Sequence, residues 1–282
     1  MMSPTVVAVD LGGSRLRLVA TQVKGNGDEW EQKAVSPASL PAVLKHTWKK
    51  MKWIGVKRLI VGSNGVWTLS ERQVLHDQLK DLAKTVTVMS DVELAFHGAF
   101  APFPQKSQRV LLVAGTGSMA LGLTESGRLV RAGGLGPSKG DEGSGWWIGH
   151  KFLRERSGKG YKKIASRSSV KQIAQLAKNV IARAATDPVC SKIVQEAQAH
   201  LAQWVMEVSQ KMKGRFPIHV SWGGSLLANE TFRNGVLSIL QKQFPHRFRF
   251  IPPGDSPART AAHSPDRIPS KTPRPIPPRA VQ

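Results

Sequence analysis

Cysteine is almost absent from this 282-residue chain: Cys190 stands alone. That excludes an intrachain disulfide, a paired-cysteine redox centre and a zinc site built on cysteines. Long apolar runs are missing too. None approaches the roughly eighteen residues of a membrane span, so no membrane partner is expected. The opening MMSPTVVAVD runs straight into an apolar strand. No basic segment, apolar core and cleavage site precede it, so secretion is not expected and a cytoplasmic location is. Acidic residues are scarce: 19 Asp and Glu stand against 41 Lys and Arg, a formal net charge of +22. Such a balance suggests an anionic partner. Residues 151–183, however, hold ten of the basic residues against Glu155 alone, at helical spacing and with few aromatics. That is the pattern of a solvated helix face, and nucleic acid is not expected as a partner despite the charge. The phosphate-binding pattern GxxxxGK-S/T is also missing.

Glycine is plentiful, and it is concentrated in residues 111–149, LLVAGTGSMALGLTESGRLVRAGGLGPSKGDEGSGWWIG. Glycine weakens helices and strands, so this density implies sharp turns or a backbone that a ligand must approach closely. Gly115, Gly117 and Ala120 fit the spacing of a dinucleotide fingerprint. That motif needs a crossover helix after the glycines, and the short MALGLT leaves no room for one. The element is therefore a strand, a GTGS turn and a second strand. The stretch ends at Asp141 and Glu142, at the start of an amphipathic segment, and a phosphorylated ligand is the expected occupant.

Taken in order, TVVAVDL (5–11) reads as a buried strand, and Gly12, Gly13 and Ser14 turn it into a second strand over Leu16–Val23. Asp10 closes the first strand where free backbone N–H groups can meet an oxyanion. A carboxylate there can hold Mg²⁺ through water, and Ser14 can donate to a phosphate; an ordinary Asx turn is the alternative. A helix follows with Leu40, Val43, Leu44, Thr47, Trp48 and Met51 on one face. After the strand KRLIVGSNGVW comes a helix over 70–84, read as capped at Ser70. The strand Val86–Met89 stops at Ser90 and Asp91, and a helix follows from Glu93. Ligands collect at such carboxyl ends of strands, although an isolated Asp91 reads first as a plain N-cap. APFPQKSQ (101–108) marks a domain boundary. Two long amphipathic helices lead to IHVSWGGS, with its Gly223–Gly224 turn, and a further helix. Residues 252–282 are rich in proline and poor in large apolar residues, so a coreless flexible tail is expected.

Three strand–glycine-turn units thus recur: VVAVDLGGS, LLVAGTGS and IHVSWGGS. Phosphoryl transfer needs chiefly positioning, charge neutralisation and a carboxylate to take the acceptor's proton. At this point VVAVDLGGSRLRLV, SDVELAFHGAF, LLVAGTGSMALG, GGLGPSKGDEGSGWWIG and VSWGGSLLANETF, in that order, resemble the BadF/BadG/BcrA/BcrD ATPase family. That family includes N-acetylglucosamine kinase and belongs to the actin/hexokinase/Hsp70 superfamily. The resemblance spans about residues 5–245, and GTGS and GDEGS are its specific parts.

The resemblance implies an α/β fold of two ribonuclease-H-like, actin-like ATPase lobes with an interlobe cleft. The N-terminal lobe would cover 1–104, the C-terminal lobe 105–251, and a disordered or atypical tail 252–282. It implies ATP and Mg²⁺ as cofactors, a sugar and ATP as small-molecule partners, and it leaves a homodimer open. Asp10 would lie on the Mg²⁺ side. Gly12, Gly13 and Ser14 would form one phosphate loop, and Gly115, Thr116, Gly117 and Ser118 the other, with Thr116 also near the sugar. Asp91 would deprotonate the sugar 6-hydroxyl, Asp141 would bind sugar hydroxyls, and Gly223 and Gly224 would pass under the adenosine. The implied activity is ATP-dependent phosphorylation of N-acetylglucosamine or glucosamine.

The chain departs from the family pattern in three places. Ser14 replaces a usual Thr. Ser36-Pro37-Ala38-Ser39 stands where an asparagine often contacts the sugar. The family's closing small-residue helix is replaced by RFIPPGDSPARTAAHSPDRIPSK, and its loss is expected. Two alternatives remain: a non-catalytic sugar or nucleotide sensor, and the family's activator ATPases, whose iron–sulfur cluster needs interface cysteines that a lone Cys190 does not supply.

Overall fold

The computed structural model describes residues 3–22, 27–101, 103, 107–124, 128–137, 139–212 and 217–270. The expected first hairpin tip, the turn at 125–127 and the end of the tail, 271–282, lie outside them. The chain divides into two compact units, Met1–Pro102 with Gly254–Gln282, and Phe103–Pro253.

The first unit is built on strands β1 (Val6–Leu11), β2 (Arg15–Thr21), β3 (Asp28–Lys33), β4 (Arg58–Ser63) and β5 (Thr85–Ser90), in the order β3-β2-β1-β4-β5. The first three are antiparallel, and β1, β4 and β5 run parallel. The tight turn closes with the Gly12 N–H donating to the Arg15 carbonyl at 3.0 Å. β3 reads DEWEQK and is exposed throughout; charge along a sheet edge discourages pairing with another chain. Alternation along β1 sorts the helices. Val7, Val9 and Leu11 pack with α1 (Leu40–Met51) and α2 (Leu69–Leu79). Val6 and Ala8 face the other way and pack with α3 (Asp91–Phe100). Asp10 has the parity of Ala8, which puts its carboxyl on the α3 side. Helix α2 is capped by Thr68 rather than Ser70, in a capping box with Glu71.

The expected coreless tail is corrected over 254–270. Pro257–His263 forms a helix, α9, that buries Ala258, Ala261 and Ala262 against the β1/α3 side of the sheet. Their i, i+3, i+4 spacing makes one small-residue stripe, and small side chains let helix and sheet approach closely. Gly98 completes the fit, since a Cβ there would lie 3.0 Å from the Pro257 Cα. Beyond the helix, Arg58 donates to the carbonyls of Pro265, Ile268 and Pro269 at 2.7, 2.9 and 2.7 Å. Ile268 is buried. The closing helix is therefore present, spelled PARTAAH.

The second unit repeats the sheet topology. β6 (Arg109–Ala114), β7 (Ser118–Leu123) and β8 (Leu129–Gly133) are antiparallel, and β9 (Ile218–Gly223) and β10 (Phe248–Phe250) add parallel strands, in the order β10-β9-β6-β7-β8. The β6–β7 hairpin has no crossover helix, as expected from MALGLT. Helices α4 (Gly145–Ser157), α5 (Tyr161–Arg167), α6 (Val170–Arg183), α7 (Pro188–Lys211) and α8 (Glu230–Gln243) complete it. Ala197, Leu201, Val205 and Val208 of α7 enter the core beside β6, β7 and β8. Part of the basic charge is locally paired: Lys151 with Glu196, and Arg156 and Arg183 with Asp187. No helix among the described residues is long and apolar enough to cross a membrane.

Candidate active site

In the first unit the parallel strands β1, β4 and β5 end on one edge, and Asp10 and Asp91 sit at that edge on either side of β4. The register aligns Asp10 with Gly62 and Ser63 with Ser90. Gly62 is required there, because a Cβ would lie 2.6 Å from the Leu94 side chain and push α3 off the sheet. The N-cap of α3 is Ser90, not Asp91: its hydroxyl accepts the Glu93 N–H at 3.2 Å, and Glu93 returns a bond to the Ser90 N–H at 2.8 Å. Asp91 is thereby relieved of the capping role. Its Oδ1 accepts the Val92 N–H at 3.0 Å, and no cation pairs with it among the described residues.

Both carboxyls bind protons more tightly than usual. Burial, with the neighbouring charge of Asp91, raises Asp10 to about 7 against the pull of Arg17. Burial raises Asp91 to about 6, offset by backbone N–H groups and reinforced by Glu93. Two buried carboxylates that repel each other favour the arrival of a positive charge. No cluster of three or more His, Cys, Asp or Glu residues able to hold a metal occurs among the described residues. The donor set therefore fits a cation held largely through water, as Mg²⁺ usually is. Beside them Gly12, Gly13 and Ser14 form an open turn. A Cβ on Gly13 would meet nothing within 4 Å, and Ser14 is exposed.

In the second unit the GTGS turn occupies the equivalent place, between the first two strands, but it is braced. The first N–H groups of α4 donate to it, Gly145 to the Gly115 carbonyl at 2.7 Å and Trp146 to the Thr116 carbonyl at 3.1 Å. Ser118 donates its hydroxyl to the Glu142 carbonyl at 2.8 Å. Asp141 is buried, and its carboxylate accepts the backbone N–H groups of Ser118 and Gly136; burial still raises its affinity for a proton. Gly117 makes room for that carboxylate, since a Cβ would lie 2.9 Å from Asp141 Oδ2. Thr116 is the exposed member of the turn. Next to it is the Gly223–Gly224 turn at the end of β9. Gly224 has φ +90°, and a Cβ there would lie 2.3 Å from the Ala114 carbonyl oxygen. Only glycine fits at that position.

The first unit thus holds Asp10, Gly12, Gly13, Ser14 and Asp91, and the second holds Gly115, Thr116, Gly117, Ser118, Asp141, Gly223 and Gly224. Sequence reasoning missed Ser90, Glu93 and Arg72 in the first unit, and the bracing by Gly145 and Trp146 in the second. The S-x-x-E spacing of SDVE was a readable capping signal; the others become neighbours only in the folded chain.

Two copies of one five-stranded topology define an α/β, actin-like, hexokinase-type fold. Among solved structures, a protein from Chromobacterium violaceum assigned as an N-acetylglucosamine kinase matches with a TM-score of 0.69 at 19% identity, covering 93% of this chain and 98% of that one. A Schistosoma mansoni hexokinase bound to glucose matches with a TM-score of 0.62 at 14% identity, over 93% and 87% of the two chains. At these identities the likeness shows the fold. The model of the BadF/BadG/BcrA/BcrD ATPase family matches residues 9–253, and the chain belongs to that family. An N-acetylmuramic acid/N-acetylglucosamine kinase of Clostridium acetobutylicum is 31% identical over 98 residues. That stretch is 34% of this chain and 31% of the relative's length.

Proposed function

We propose that the protein is an ATP-dependent sugar kinase that phosphorylates the 6-hydroxyl of an amino sugar, N-acetylglucosamine or glucosamine. The observation that carries this reading is Asp91, a carboxylate that pairs with no cation among the described residues, is raised to about 6 and opens α3 directly after a parallel strand, across β4 from Asp10. A base needs a proton affinity near the working pH, and Asp91 has it without any histidine.

The residues then take the following roles. Asp91 accepts the proton of the sugar 6-hydroxyl as that oxygen bonds to the γ-phosphorus, while the bond from that phosphorus to the β–γ bridging oxygen breaks and ADP leaves. The backbone N–H groups of Gly13 and Ser14 and the Ser14 hydroxyl would donate to the phosphates, with Gly12 closing the turn that presents them. Gly115, Thr116, Gly117 and Ser118 supply the second phosphate loop, with the Thr116 hydroxyl as its free donor. Asp10 would hold Mg²⁺, which neutralises phosphate charge when bound. The bare backbone of Gly223 and Gly224 accommodates the adenosine, and Thr116 and the outward side of Asp141 meet sugar hydroxyls. The names of the relatives support sugar phosphorylation. The activator reading is disfavoured because Cys190 is buried within the core of the second unit.

The test is coupled ADP release across glucosamine, N-acetylglucosamine, glucose and muramic-type sugars, with Asp91→Asn alongside. Turnover with an amino sugar is expected, falling about 10²- to 10⁴-fold in Asp91→Asn. Turnover untouched by that change removes Asp91 as the base, and no turnover with any sugar favours the sensor.

A further inference from the structure

Beneath Asp91 lies an ion pair that the proposed chemistry does not use. Arg72 of α2 and Glu93 of α3 are both wholly buried, and Arg72 Nη2 donates to Glu93 Oε2 at 2.8 Å. The same oxygen accepts the Ser90 N–H and the Ser90 hydroxyl, each at 2.8 Å. Three donors on one carboxylate oxygen tie together the end of β5, the first turn of α3 and the amino end of α2. Glu93 Oε1 is buried without a partner among the described residues.

Stability does not explain such a pair. Taking two charges out of water costs about as much as their attraction returns, and apolar residues of similar volume are often neutral or better. What the pair achieves is placement. Asp91 is the residue between Ser90 and the turn that ends at Glu93, so a shift of this network moves Asp91 directly. The network also acts on charge, because Glu93 is two residues from Asp91 and repels its ionised form.

We propose that Arg72 is a positioning residue for Asp91: through Glu93 and Ser90 it holds the amino end of α3 in place and neutralises the carboxylate two residues from the base. This inference rests on the reading of Asp91 as the base. The charged and titratable groups on Asp91's surroundings are Glu93 and His97 on α3, Asp10 on β1 with Arg17 opposite it on β2, Arg72 on α2, and Arg259 and His263 on α9, which packs on α3. Among these, only Arg72 and Glu93 are wholly enclosed.

The experiment measures kcat, KM for sugar and ATP, and the pH dependence of kcat/KM for the full chain and for Arg72→Met, Arg72→Lys, Arg72→Met/Glu93→Gln and Asp91→Asn. Arg72→Met is expected to lower kcat about 10- to 100-fold, the size of effect that a misplacement of about 1 Å produces. KM for ATP should change little, and the acid limb should move to higher pH as Glu93 loses its counter-charge. Arg72→Lys keeps the charge, so its acid limb should stay in place while part of kcat is lost. The double variant removes both charges together and should recover at least about tenfold of the lost kcat, a coupling typical of paired sites. It also serves where Arg72→Met alone does not fold. A wild-type kcat and acid limb in Arg72→Met, or a double variant no better than the single one, overturns the inference while a crippled Asp91→Asn leaves the base reading standing. Full turnover in Asp91→Asn overturns both.

Discussion

The two glycine turns occupy the same place in the same topology, yet they are held in opposite ways. Gly12-Gly13-Ser14 follows β1 and is held by backbone bonds at its two ends, from the Gly12 N–H to the Arg15 carbonyl and from the Ala34 N–H to the Ser14 carbonyl. Gly115-Thr116-Gly117 follows β6 and is fastened by the first N–H groups of α4, by Ser118 on Glu142 and by Asp141 underneath. The acidic groups differ in the same sense. Asp141 accepts backbone N–H groups from Ser118 and Gly136, whereas Asp91 accepts only within its own helix turn and its charge raises Asp10 further. A repeated fold has thus been specialised, one turn into a fixed platform and the other into an open edge with poised charge. Unpaired buried charge of that kind is a feature of working sites rather than of stable ones.

The contrast breaks most visibly at Gly117. A valine there must expel the Asp141 carboxylate, which a Cβ would approach to 2.9 Å, and strand the N–H groups of Ser118 and Gly136. Overpacking and unpaired donors together should cost about 2–4 kcal/mol, read as a lower denaturation midpoint in urea. Stability unchanged within about 0.5 kcal/mol would show that the brace is not one.

The next effect is pH-dependent. Asp10 and Asp91 bind protons more tightly in the folded chain, at about 7 and about 6, than at the ordinary 3.8. Their contribution to stability is therefore fully present below about pH 4 and lost as the pH rises through 6 and 7. Thermal melts of the wild type should show Tm falling across that window from this source. Asp91→Asn should melt higher than wild type at pH 8, with the gain vanishing near pH 4. A lower Tm for Asp91→Asn at pH 8 would mean that the ionised carboxylate stabilises the fold.

The smallest effect belongs to Gly13→Ala. The added Cβ meets nothing, and Gly13 is not in the left-handed region. Stability should stay level or rise by up to about 1 kcal/mol, because alanine restricts the unfolded chain. On the open edge, however, the methyl group lies where phosphate would approach, so KM for ATP should rise several-fold. An unchanged KM would place the phosphates elsewhere.

Legibility in the sequence followed the range of the interaction. The alternation in TVVAVDL and the glycine punctuation are local, so the hairpins and the strand ends were readable from composition and spacing, while the roles proposed for Asp10, Asp91 and Asp141 come from the family resemblance. The cap of α3 was local too. Ser90 and Glu93 announce it in SDVE, but an aspartate beside a strand end drew attention from the serine before it. Helix α9 escaped because alanine and proline carry little hydrophobic signal. Its stability comes from fit, against Gly98 and under Arg58, which becomes visible only when residues far apart in sequence meet, such as Arg58 and Pro265. The pairing of Arg72 with Glu93 and the bracing of GTGS by α4 are of the same kind, set by tertiary register rather than by any local pattern.

The most direct test of the central claim, that Asp91 is the base poised on the open edge, is the pH dependence of kcat/KM for the amino sugar at saturating ATP and Mg²⁺. An acid limb governed by a single group with an apparent pKa near 6 is expected, the value to which burial raises Asp91. A rate that stays flat between pH 5 and 8 would contradict it.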